Sequence, residues 1–215
     1  MKGNIKKVTV FVIIAAIAMF VAVGMASAAD RSFPKAMRGV YAAIGNGSCL
    51  LAPAGFTEDF TPNFGIGVIS VYNRVGYFTF EQDGTGLASL NGSLTNFPYT
   101  IPNLPPTQVL SSAASATISW GFKYIVTKKG IITITQDPDI PFETTFTAGP
   151  RKGLTYNVVG VSFEGTITPD GKTITLSGGG APNVTTLYGF GLPPNGAPQV
   201  CFTNFVLTWQ HDVIE

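Results

Sequence analysis

The sequence predicts an all-β fold: a single antiparallel up-and-down β-barrel of about 8–10 strands, with a β-sandwich as the alternative. Three observations lead there. Apolar residues recur with period two, and no segment beyond the first thirty residues carries a helical period. Asp-Gly and related turn dipeptides punctuate the apolar runs, so most connections read as sequential hairpins. Composition agrees. Charged residues are only 12%, beside 25 Gly and 15 Pro, which does not suit a helical bundle, and 45% hydrophobic content argues against disorder.

In chain order, strands are expected near 38–44, 67–73, 75–82, 85–91, 116–126, 130–136, 142–148, 154–168, 172–177, 184–189 and 200–209. Residues 75–82 put Phe78 and Phe80 on one face and Thr79 and Glu81 on the other. Asp83-Gly84 then turns the chain into 85–91. The clearest alternation is 116–126. There Ile118, Trp120, Phe122, Tyr124 and Val126 form an apolar face opposite Thr117, Ser119, Gly121 and Lys123. Lys129-Gly130 turns that strand into the next. In 154–168 the parity changes: Leu154, Tyr156 and Val158 are apolar on even positions, Val161, Phe163 and Ile167 on odd ones. A bulge beside Gly160 would keep one long strand's apolar side inward. Pro169-Asp170-Gly171 closes the following hairpin. Two long loops are expected, Gly45–Gly65 and Gly92–Ser112. The first carries Phe56, Phe60 and Phe64 at a spacing of four, the pattern of a short helical turn over one barrel end. The sequon-like Asn46-Gly47-Ser48, Asn91-Gly92-Ser93 and Asn183-Val184-Thr185 read as turns.

Lys2, Lys6 and Lys7, an apolar stretch from Val8 to Met25, and Ala26-Ser27-Ala28 read as a cleavable bacterial export signal over residues 1–29. That leaves 30–215 as one domain with no membrane span, destined for the periplasm, the cell envelope or the medium. Loss of those three lysines turns the formal charge of +1 into −2, which gives no electrostatic footprint for nucleic acid. Lys128-Lys129 and Arg151-Lys152 read as solvated loop charges. Cys49 and Cys201 are the only cysteines, and in an exported chain they are expected to form one disulfide near the barrel's closing seam.

Catalytic patterns are absent. His211 is the sole histidine, near the C-terminus, and no Gly-x-Ser-x-Gly elbow accompanies it. There is no phosphate loop and no dinucleotide fingerprint. Asp137-Pro138-Asp139 reads as a turn rather than a calcium site. Glu81, Glu143 and Glu164 fall opposite the apolar faces of their strands. No catalytic residue, metal site or cofactor is assigned. An enzyme would need a polar cluster inside the barrel, which strand parity does not supply.

Aromatic side chains remain as the candidate chemistry. Phe78, Phe80, Trp120, Phe122, Tyr124, Tyr156 and Phe163 are the inward candidates for contact with a ligand. The stretch Arg38-Gly39-Val40-Tyr41-Ala42-Ala43 through Gly47-Ser48-Cys49-Leu50, with the late Cys201, resembles a group of uncharacterised secreted bacterial proteins. The meander is also similar to lipocalin-type, or calycin, barrels, with Tyr41 where lipocalins carry Trp in their opening Gly-x-Trp. That resemblance covers architecture and carries over no ligand or binding residue. The inward aromatic rows and the two long loops lead to the expected function, binding of a small apolar or amphipathic molecule in the barrel interior. The alternatives are a non-enzymatic structural or interaction protein of the envelope, and a calycin-like barrel enzyme.

Overall fold

The computed structural model describes residues 37–100, 112–178, 183–189 and 191–212, all within one compact unit. The export signal expected over 1–29, and residues 101–111 of the second expected loop, lie outside the described residues. Among the described residues, eleven antiparallel strands form a single sheet that closes on itself. In chain order they are β1 (Gly39–Leu51), β2 (Ile66–Phe80), β3 (Thr85–Thr100), β4 (Ser112–Val126), β5 (Ile131–Gln136), β6 (Phe142–Ala148), β7 (Thr155–Val159), β8 (Ser162–Ile167), β9 (Thr173–Ser177), β10 (Asn183–Gly189) and β11 (Ala197–His211).

Register reduces these eleven strands to eight lanes. β4 pairs with β5 through Phe122–Val126 and with β6 through Ser115–Ser119, so β5 and β6 run end to end alongside it. β7 pairs with β6 and β8 with β5, so they form the next lane. β9 and β10 form the third broken lane, and both pair with β11. β11 then pairs with β1 from Val40↔His211 to Leu51↔Gln199, which closes the ring. The expected up-and-down barrel is thus built from five long strands and three broken ones. Closure leaves no sheet edge to be capped.

Each break has a local cause. Between β5 and β6, the Asp137 N–H donates to the Gly121 carbonyl (2.9 Å) and the Gly121 N–H to the Ile140 carbonyl (3.3 Å), so the segment loops outward around one residue of β4. Lys123 pairs with Asp137 across it at 3.4 Å. Between β7 and β8 the break falls at Gly160, whose φ of +90° suits glycine. Gln136 satisfies the backbone groups freed there. Its amide donates to the Val158 carbonyl (2.9 Å), and its carbonyl accepts from the N–H groups of Gly160 (3.0 Å) and Val161 (3.3 Å). The parity change read from the sequence is this bulge: Tyr156 and Val158 on one side of it and Val161, Phe163 and Ile167 on the other are all buried.

The two ends of the barrel differ. Tight turns 81–84, 127–130 and 168–172 sit at one end, here the turn end, as the Gly dipeptides predict. Asp83 and Asp170 hold two of them, accepting hydrogen bonds from Thr85 and Thr168 and from the Thr85 and Lys172 N–H groups. Longer connections, 52–65 and 191–196 among them, sit at the loop end. The sequence overestimated both long loops. β1 continues to Leu51 and β3 to Thr100, so Asn46-Gly47 and Asn91-Gly92 lie inside strands rather than in turns, and Asn183 opens β10. Glycine serves there as a space-maker: a Cβ on Gly47 would lie 2.7 Å from the Tyr72 hydroxyl. The expected break between 67–73 and 75–82 is likewise absent, because β2 is continuous. The Phe56, Phe60, Phe64 spacing does not make a helix covering the end. Only a 3-10 turn, Asn63–Gly65, forms, and Phe60 and Phe64 are exposed with positive φ.

At the turn end the interior is solid. Phe78, Phe80 and Phe122 are fully buried, and Trp120 and Tyr124 nearly so. Neighbouring rings meet mostly edge-on or tilted, Phe80 to Phe122 at 5.1 Å and Trp120 to Phe122 at 5.3 Å. Tyr124 seals that end through hydrogen bonds with the Met37 N–H and carbonyl (both 2.8 Å) and the Glu81 carbonyl (2.7 Å). Burial, then the neighbouring Tyr124, Asp170 and Asp212, pushes the Tyr41 phenol up to about 12, and burial raises Tyr124 as well. Both phenols ionise more readily once unfolded. The contribution of Tyr41 is therefore intact below pH 10 and lost as pH rises toward about 12, and Tyr124 acts in the same direction. The urea midpoint is expected to fall across that window, and Tyr41→Phe to reduce the fall.

Candidate ligand cavity

The loop-end half of the barrel is packed differently. Strand alternation sends Tyr72, Arg74, Phe78 and Phe80 of β2 to the same face. From the turn end upward this row changes from phenyl rings to a guanidinium and a phenol. Gly45 of β1 and Gly92 of β3 are the register partners of Arg74, so neither neighbouring strand covers it with a side chain. Its guanidinium lies 4.0 Å from the Tyr72 ring and 5.8 Å from the Phe142 ring.

Two adjoining cavities surround this arginine. One, about 90 Å³, is lined by Ser70, Leu94, Asn96, Thr144, Phe146, Arg151, Tyr156 and Leu187. The other, about 40 Å³, is lined by Phe142, Val161, Phe163, Thr185, Cys201 and Thr203. Cys49, Tyr72, Arg74, Val158 and Gln199 border both. A larger depression of about 590 Å³ lies on the outer face, open to solvent and bordered by outward residues such as Asn73, Ser93 and Phe97.

The polar groups of the wall are partly satisfied. Tyr72 shares a hydrogen bond with Thr203, and its hydroxyl lies 3.7 Å from Cys49 Sγ. The Ser70 hydroxyl donates to Asn96 Oδ1 (2.6 Å), and Asn96 Nδ2 donates to Ser112 Oγ (3.2 Å). Two atoms are different. Arg74 Nε and Thr185 Oγ1 are buried without a hydrogen-bond partner among the described residues. Arg74 also has no carboxylate paired with it among the described residues. Its guanidinium is enclosed by protein, while the side chain keeps some accessible surface, as a group facing an internal cavity does. Burial pushes it below the ordinary guanidinium range, and Tyr72 offsets part of that shift. An uncompensated buried charge is costly, and a counter-charge in the cavity would relieve that cost.

All seven aromatic residues singled out from the sequence face inward. Phe78, Phe80, Trp120, Phe122 and Tyr124 form the solid turn-end core. Tyr156 and Phe163 border the cavities. Cys49 and Cys201 are bonded as directly opposed residues of β1 and β11, at the closing seam, and the bond forms part of the cavity wall. Two expectations are corrected. The interior does hold a polar cluster, because Thr185, Gln199 and Thr203 occupy inward positions of β10 and β11. Arg151 is not simply a solvated loop charge: it is half-buried, 5.6 Å from the Tyr156 ring, and borders the larger cavity. Arg74 was missed because the sequence reading set a strand boundary beside it. The signal was present in the shared parity of Tyr72, Arg74, Phe78 and Phe80.

Among the described residues no three His, Cys, Asp or Glu side chains cluster closely enough to hold a metal ion. Nor is any helix among them long and apolar enough to cross a membrane. No protein-family model, curated protein or solved structure matches the chain.

Proposed function

We propose that this is an exported barrel protein that binds a small amphipathic molecule in its loop-end interior. One observation carries the reading: packing changes along the barrel axis, from a solid aromatic core to cavities that mix apolar walls with buried polar groups. Size limits the ligand. Each cavity is smaller than the ~150 Å³ void that accommodates benzene, so a retinoid or haem would not fit without rearrangement. No Asp or Glu among the described residues borders either cavity, which favours binding over acid–base catalysis. Native mass spectrometry of the mature protein, purified from its exporting host, tests this. A small molecule bound in the native spectrum and lost on denaturation is the expected result. A uniformly ligand-free protein that takes up no small amphipathic probe would refute it.

A second reading, an interaction protein of the envelope, is favoured by one outer feature. Val206, Ile44 and Val75 are exposed and directly adjacent across β11, β1 and β2, with Phe202 and Val71 further along the same face. That reading predicts self-association on a sizing column, weakened by Ile44→Ser.

A further inference from the structure

We propose that the ligand is a small carboxylate whose head group sits between the Arg74 guanidinium and the Thr185 hydroxyl. This rests on the loop-end cavity being a binding site, and it names the chemistry of that site. Arg74 Nε and Thr185 Oγ1 are the buried side-chain polar atoms left unpartnered among the described residues, and both residues line the same cavity of about 40 Å³. They lie on β2 and β10, far apart in sequence and separated in the sheet by β1 and β11, so the barrel brings them to one cavity. Both can donate: a guanidinium offers only N–H groups, and a hydroxyl can turn its hydrogen toward an acceptor. Two donors facing one cavity suit a two-oxygen anion, and a guanidinium matches a carboxylate in geometry.

Charge sets the valence. Among the described residues, Arg74 is the only cationic side chain lining that cavity, and no Asp or Glu lines it. A monoanion balances one guanidinium, whereas a phosphate dianion would leave a buried negative charge unmatched. Arg151 borders only the larger cavity, against the rings of Phe146 and Tyr156. The larger cavity, with Leu94, Phe146, Tyr156 and Leu187 in its wall, takes the apolar tail.

The test is calorimetric titration of the mature protein with acetate and benzoate, their neutral counterparts acetamide and benzamide, and inorganic phosphate. At least one carboxylate is expected to bind about tenfold or more tightly than its amide, as a charge-assisted hydrogen bond requires. Arg74→Met and Thr185→Val should reduce that preference and leave the melting temperature of the ligand-free protein unchanged or higher, since each removes an unpartnered buried group. The wild-type comparison stands even where a variant fails to fold. Amides binding as tightly as carboxylates would overturn the carboxylate assignment while leaving the cavity reading intact. Phosphate binding more tightly than both carboxylates would overturn it too, in favour of a phosphate head group. Absence of binding by every probe would remove both readings. A carboxylate preference that survives in both variants would show that the charge is read elsewhere, and would overturn this site.

Discussion

Replacing Cys49 and Cys201 together by alanine is expected to lower the unfolding free energy by about 5 kcal/mol, the chain-entropy value for so long a closed loop. The bond spans 152 residues, nearly the whole barrel. Its absence leaves the native seam largely intact, because β1 and β11 remain paired along their full length. The effect therefore falls mainly on the unfolded chain, whose ends the bond holds together. A loss of that size consumes much of the ~5–15 kcal/mol by which single domains are stable. The variant should retain its strand signal in circular dichroism at low temperature, with a much lower guanidinium midpoint. A midpoint change equivalent to less than about 1 kcal/mol would show that the bond does not restrain the chain in this way.

Trp120→Ala carries the second large effect, a loss of about 3–5 kcal/mol. Trp120 is 2% exposed, and its ring meets those of Phe78, Phe122, Phe142 and Phe163 at 5.3–6.1 Å. It stands where the solid core gives way to the cavities, since Phe142 and Phe163 are also cavity wall. Truncation opens a void that four rings can only partly refill. The contrasting substitution is Tyr77→Ala on the outer face, where the ring is 55% exposed and the expected change is within about 0.5 kcal/mol. Urea unfolding of the two variants compares them directly. Equal losses would contradict the assignment of inside and outside along β2 and β4.

Much of the fold was legible because alternation reports burial directly. Trp120, Phe122 and Tyr124 lie inward as their parity requires, and the parity change at Gly160 marks a real break. The Asp-Gly and Lys-Gly turns fall where expected because positive φ at Gly84, Gly130 and Gly171 needs glycine. The cavity was harder to read. An inward arginine interrupts the apolar row of β2 and looks like the end of a strand. Inward Thr185 and Thr203 have the same residue type as outward Thr175 and Thr208, so polarity alone does not separate them until register is known. Gly47 is hard to read for a related reason. Its role is to leave room for the Tyr72 side chain of the neighbouring strand, and that role depends on pairing across the sheet rather than on neighbours along the chain.

The most direct measurement is chemical-shift mapping of isotope-labelled mature protein titrated with the acetate, benzoate and amide probes. Perturbations are expected to concentrate on Tyr72, Arg74, Tyr156, Val158 and Gln199 around the cavities, with Phe78, Phe80 and Phe122 unchanged. Perturbations confined to the exposed Ile44, Val75 and Val206 row, or none with any probe, would contradict it.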